Sequence, residues 1–171
     1  MGKNTVPSFL PIHFVSHKTW RYKTMKTTVE EMLQEKGNNV WTISPTATVM
    51  EALKLMAEKS VGALVVTHGD QVVGIISERD YARKIVLRNR TSTNTKVKEI
   101  MTDKVYYVGL KTTAEECLIL TTQKGIRHLP VLEDGKLVGL VSIGDVVKTV
   151  IGQQETEIRE LSDYITGKYI T

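Results

Sequence analysis

Gly74-Ile75-Ile76-Ser77-Glu78-Arg79-Asp80 decides the fold, because the chain spells it again in outline as Gly139-Leu140-Val141-Ser142-Ile143-Gly144-Asp145. In each copy a Gly opens a short apolar run that ends at a Ser, and an Asp follows three residues later. Apolar, partly β-branched runs favour strands, while a Ser with an acid three residues on marks the start of a helix. The stretch therefore predicts a strand-to-helix corner. Such a corner points a hydroxyl, a carboxylate and several backbone N–H groups at one place, which suits a polyhydroxylated, phosphorylated ligand. The same spacing is also a capping box, in which the acid folds back onto the cap residue's own N–H. For one motif in isolation capping is the commoner reading; the duplication adds weight to a site.

Working outward, a shift of 65 residues lays positions 40–85 on positions 105–150 without a gap. Identical pairs include Val40/Val105, Thr48/Thr113, Glu51/Glu116, Leu64/Leu129, Val66/Val131, Gly74/Gly139, Ser77/Ser142 and Asp80/Asp145. Most other positions exchange one apolar residue for another, so the halves are predicted to share a fold and to pack about a pseudo-twofold axis.

Within each repeat the periodicity switches. Residues 41–43 read as a short strand closed by Ser44-Pro45, since a residue before Pro is pushed out of the helical region. Thr48 then caps a helix through Lys59, with Val49, Ala52, Leu53, Met56 and Ala57 as its apolar stripe. Two Val- and Ile-rich runs, 62–67 and 71–76, surround the turn His68-Gly69-Asp70. The helix that Ser77 begins carries Tyr81, Ala82, Ile85 and Val86 as its apolar positions. The second copy predicts a strand at 105–108, a helix at 113–124, strands at 127–132 and 136–141, and a helix at 142–151. Each half is thus strand, helix, strand, strand, helix: an α/β (α+β) unit of the βαββα type with a small mixed sheet. A sheet that small leaves edges exposed, a reason for the pair to associate and then to dimerise.

Flanking segments complete the division. Residues 1–24 are a basic extension, 25–92 the first repeat with a leading helix, 93–151 the second repeat, and 152–171 an amphipathic helix and tail with Ile158, Leu161 and Ile165 aligned. The leading helix starts at Thr28, buries Val29, Met32 and Leu33 and stops at Gly37. For residues 1–24, a loose extension, an upstream stretch ahead of a start at Met25 and an organellar presequence stay open.

Composition removes several function classes. The chain of 171 residues has a formal charge of +4, but Lys3, Lys18, Arg21 and Lys23 supply all of it and leave 19 bases against 19 acids in the remainder. A neutral folded core offers little of the phosphate neutralisation on which nucleic-acid affinity depends, so no nucleic-acid partner is expected. No apolar run is long enough to cross a bilayer, and no membrane partner is expected. The lone Cys117 cannot form an internal disulfide or a cysteine-built zinc site, fits a reducing compartment and reads as a small core residue. No His, Cys and carboxylate set stands at metal-ligand spacing. Catalytic residues are likewise not found: there is no nucleophile–base–acid order, no paired carboxylates and no phosphate-binding glycine loop.

Taken together, Ser44-Pro45 with Thr48-Val49-Met50-Glu51-Ala52-Leu53, Val61-Gly62-Ala63-Leu64-Val65-Val66, Gly125-Ile126-Arg127-His128-Leu129-Pro130-Val131 and the two Gly-to-Asp corners resemble the CBS domain family in its tandem arrangement, the Bateman module. The resemblance covers residues 28–151, and the chain from Met25 on is similar to small stand-alone CBS-pair proteins. It implies a homodimer of CBS pairs with two clefts per pair that take adenosine-containing ligands: AMP first, then NAD(H) or ATP, with ADP and S-adenosylmethionine also in the family's range. It implies that Asp80 and Asp145 hold the ribose hydroxyls, that Ser77 and Ser142 add hydroxyl contacts, and that Gly62-Ala63 and Arg127-His128 line the clefts. Arg79 adds a cation beside Asp80 where Gly144 stands beside Asp145, so a phosphorylated adenosine is expected in the Asp80 cleft first. Ile43 and Ser44 are expected to face the base in the Asp145 cleft.

The function so implied is a non-enzymatic regulatory module that signals to an unidentified partner protein, located in the cytoplasm, or in mitochondria if residues 1–24 are a presequence. The competing reading is a dimerisation scaffold with vestigial clefts. A weaker third is an enzyme using His128 or Cys117.

Overall fold

A computed structural model describes residues 27–166, so the readings of residues 1–24 and of the tail beyond 166 lie outside it. The first repeat folds as β1 (Thr42–Ile43), α2 (Val49–Lys59), β2 (Ala63–His68), β3 (Gln71–Ser77) and α3 (Glu78–Lys84), preceded by α1 (Val29–Lys36). The second follows as α4 (Ala114–Lys124), β4 (His128–Glu133), β5 (Lys136–Ser142) and α5 (Ile143–Ile165). β1 runs parallel to β2, while the β2–β3 and β4–β5 pairs are antiparallel hairpins that carry a register shift at the same repeat position. Apart from the first strand of the second repeat, the βαββα order agrees with the sequence, and so do the helix starts: Thr28, Thr48, Ser77, Thr113 and Ser142 accept from the N–H three residues on, and the acid there bonds back.

Three expectations need correction. Residues 105–108 do not form a strand; Val108 makes a single parallel bridge to Val131. The cause is Pro130. In the first repeat Val65 N donates to Trp41 O at 3.2 Å, and the repeat mate of Val65 is Pro130, which has no N–H to give. Next, the helix expected at 142–151 and the amphipathic helix expected after it are one element, and α5 runs without interruption through Gly152 for 23 residues. Gly costs a helix about 1 kcal/mol relative to Ala, which is not enough to end one. Finally, Ala57, Ala82 and Val86 face outward, because their helices bury only Val49, Ala52 and Met56 on α2 and Ile85 at the end of α3.

The leading helix crosses over. Val29, Met32 and Leu33 of α1 sit in the core of the second repeat with Cys117, Leu129, Val131, Val141 and Val146, not in that of the first. Reciprocally Val97, Ile100 and Met101, which lead into α4 of the second repeat, pack in the core of the first with Val49, Met56, Leu64 and Ile76. The exchange repeats bond for bond. Val29 N and Glu30 N donate to Thr112 O and Leu110 O, and Val97 N and Lys98 N donate to Ala47 O and Pro45 O. In return Ala114 N and Val49 N donate to Thr27 O and Thr95 O. Each repeat is therefore completed by the other's leader, which couples the two cores.

Candidate functional site

Both strand-to-helix corners open onto one cavity of about 660 Å³, within the usual range for small-molecule sites. Gly62, Ser77, Glu78, Arg79 and Asp80 line it from the first repeat, and Arg127, His128, Ser142, Ile143 and Gly144 from the second. The corners are built alike. The strand register sets Ala63 opposite Ser77 and His128 opposite Ser142. The first helical N–H then donates back to the neighbouring strand, Glu78 N to Gly62 O at 3.1 Å and Ile143 N to Arg127 O at 2.8 Å. These bonds, with Asp80 N and Asp145 N on the Ser hydroxyls, mean that the corners present fewer free N–H groups than the sequence suggested.

The capping reading holds for both acids. Asp80 Oδ2 accepts from Ser77 N at 3.0 Å and from Ser77 Oγ at 2.7 Å, and Asp145 Oδ2 from Ser142 N at 2.7 Å and Ser142 Oγ at 2.8 Å. They differ in what else they hold. Asp80 Oδ1 pairs with Lys84, one turn on in the same helix, at 2.8 Å. Asp145 is bound at 2.6 Å by Lys36 of α1, which also donates to Leu140 O at 2.8 Å. A lysine from the crossed-over leader thus occupies the second corner.

Of the residues named from sequence, Gly62, Ser77, Arg79, Asp80, Arg127, His128 and Ser142 meet at this cavity, and Ala63, Asp145, Ile43 and Ser44 are not among its lining. Ala63 is turned into the packed interior at 2% exposure. Asp145 is drawn to Lys36, Ile43 pairs with Val66 in β1, and the Ser44 hydroxyl bonds that of Thr46 at 2.9 Å. Several lining residues escaped the sequence reading: Arg83, Lys84, Lys104 and Tyr106. Lys84 was within reach, because an acid and a lysine four apart on a helix commonly pair; Lys104 and Tyr106 sit in the segment misread as a strand. Among the described residues Arg79, Arg83, Lys104 and Arg127 have no carboxylate at ion-pair distance. The cavity therefore carries an excess of cations over Glu78 and Asp80.

Titration behaviour follows the geometry. Burial pushes His128 below the ordinary imidazole range; Asp145 opposes this, Arg127 and Lys36 reinforce it, and Asp80 opposes it weakly. Burial would raise Asp145, but the hydrogen bonds from Lys36 and Ser142 outweigh it and hold the carboxyl below its usual value. Burial takes the Cys117 thiol up to about 12, which fits an inert core residue.

Lys36→Met tests the clamp. Asp145 titrates lower folded than unfolded, so its contribution is complete above about pH 4 and is lost as acid protonates the folded carboxylate. The variant should melt lower than the native chain at pH 7 by the equivalent of about 1 kcal/mol, with the gap closing as acid protonates the folded carboxylate below the usual carboxyl range. Calorimetry across this range checks it, and a gap independent of pH would assign the loss to packing.

Among the described residues no helix is long and apolar enough to cross a membrane, and no group of three His, Cys, Asp or Glu stands where a metal could be held. The CBS domain profile matches residues 28–87 and 97–152. Over 152 residues, 84% of this chain and 74% of the relative, the sequence is 41% identical to the CBS domain-containing protein CBSX3, mitochondrial, of Arabidopsis thaliana. A solved protein with CBS domains from Burkholderia ambifaria is 51% identical, with a TM-score of 0.72 over 75% of this chain and 96% of that one. The CBS domain pair of protein MJ0100, solved with 5'-methylthioadenosine and S-adenosyl-L-methionine, is 25% identical, with a TM-score of 0.66 over 74% and 98%.

Proposed function

Because the chain belongs to the CBS domain family, as a tandem pair, we propose that it is a non-enzymatic regulatory module that binds a phosphorylated adenosine at the Asp80 corner and passes the change to a partner protein. One observation carries the reading: among the described residues a single cavity brings Asp80 together with Arg79, Arg83, Lys104 and Arg127, four cations from both repeats with no carboxylate at ion-pair distance. Asp80 Oδ1, exchanging Lys84 for a ribose diol, would hold the sugar, and Arg79, Arg83, Lys104 and Arg127 would face the phosphate. Guanidinium groups suit that task because they offer paired donors in a fixed fork. This excess of positive charge favours AMP, ADP, ATP or NAD(H) over the cationic S-adenosylmethionine, although the MJ0100 pair was solved with the latter. A ligand touching both repeats favours the arrangement that brings them together, and a partner reads that shift. The module acts as a homodimer, in a reducing compartment, the cytoplasm or mitochondria.

Titration calorimetry with AMP, ATP, NADH and S-adenosylmethionine tests the proposal. Submillimolar binding of the phosphorylated ligands is expected, weakest for S-adenosylmethionine; no binding by any would leave a scaffold. His128 adds a pH signature. Burial lowers its tendency to protonate, and a phosphate beside it favours its protonated form. Affinity should rise as pH falls toward and below the ordinary imidazole range, where the bound histidine takes up a proton that the free one still resists, with proton uptake seen as a buffer-dependent enthalpy, and His128→Gln should flatten both.

A further inference from the structure

Past Gln153, α5 leaves the domain. Apart from Gln153 and Asp163, every residue from 151 to 165 whose burial is described is exposed, including Ile151 at 50%, Ile158 at 67%, Leu161 at 61% and Ile165 at 80%. A helical stretch of this length with no packing of its own is marginal in water. Its apolar residues are not scattered. Written as a heptad, Ile151, Ile158 and Ile165 fall at one core position, and Val147, Gln154 and Leu161 at the other. Val147 is exposed as well.

We propose that this seam pairs with the same seam of a second copy, as a parallel two-stranded coiled coil about a twofold axis along α5. Ile at all three first core positions, with Leu161 at the second, fits two parallel strands, and a polar Gln154 inside the seam penalises registers that set it against an apolar residue. Charge argues for the same orientation. In parallel the flanking positions bring Val150 to Glu155 and Glu157 to Ser162 of the other copy, with no like charges opposed. In the antiparallel register that overlaps the whole seam, Glu155 and Glu157 each face their own counterpart across the helices. Like charges so placed disfavour it. The proposal rests on the association part of the functional reading and is independent of what fills the cavity.

Light scattering on the full chain should give twice the 19.2 kDa chain mass, and Ile158→Glu with Leu161→Glu should return it to one. Gln154→Cys, nearly native in sequence, should form a disulfide-linked dimer under mild oxidation, since the buried Cys117 does not compete. A double mass that survives the paired Glu substitutions, or a Gln154→Cys chain that does not cross-link, overturns the seam while leaving a dimer formed elsewhere. A single-chain mass for the native protein overturns both the seam and the dimer, and leaves the face to residues 1–26 or to another protein.

Discussion

Asp80→Asn should weaken binding of a phosphorylated adenosine by about tenfold or more, while Asp145→Asn changes it by less than about threefold. The amide keeps the shape of the side chain but loses its charge and one acceptor. A hydrogen bond to a charged group contributes about 1.5–3 kcal/mol, and about 1.4 kcal/mol is a decade in affinity, so one lost ribose bond accounts for the lower bound. Asp145 lies outside the cavity lining and is already bound by Lys36, so its substitution removes no ligand contact. Both substitutions also weaken a helix cap, by about 1 kcal/mol. The readout must therefore be the dissociation constant from calorimetry on folded protein, because a thermal shift would mix the two effects. Equal losses at both positions would mean that the corners act as one site, and a loss at Asp145 alone would move the ligand to the other corner and sink the assignment of this cavity.

The difference between the corners shows where the sequence stops being legible. Ser77 and Asp80, like Ser142 and Asp145, are local, and their cap is set by residues three apart, so both corners could be read from spacing alone. What separates them is Lys36, which reaches Asp145 across 109 positions of sequence. No periodicity announces such a contact. The crossed leaders were hidden for a different reason. Val29-Glu30-Glu31-Met32-Leu33 and Val97-Lys98-Glu99-Ile100-Met101 are a further repeat, but at a shift of 68, not 65, because the connections to the two repeats differ by three residues. A search at one fixed shift passes over it. Pro130 was legible in itself, and its consequence was not: a missing N–H shortens a strand only if its partner carbonyl, that of Tyr106, is known to face it. α5 marks the opposite case. The apolar spacing of Val147, Ile151, Ile158, Leu161 and Ile165 runs across the division made at 151, and nothing lies within 4 Å of where a Cβ on Gly152 would be.

Gly139→Ala should destabilise the protein by about 1–3 kcal/mol, the largest effect expected from adding one methyl group. A Cβ at 139 would come within 2.5 Å of Leu33 Cδ1 and 2.9 Å of Cδ2, closer than carbon atoms approach. The neighbour is a fully buried leucine of the crossed leader, 2% exposed, so it has little room to yield. Gly74 is the repeat mate and meets Met101 Sδ at 2.5 Å. There the intruder touches the end of a flexible thioether, although Thr102 O at 3.2 Å leaves little space behind it; Gly74→Ala should cost less. Leu33→Ala alone leaves a cavity and should cost about 2–5 kcal/mol. In the double variant the new methyl enters the space that Leu33 vacates, so the combined loss should be smaller than the sum by about 1 kcal/mol or more. Urea unfolding of the four proteins measures the coupling. Additive losses would mean that α1 does not seat on β5, and would remove the physical link by which a ligand between the repeats could be felt in both cores.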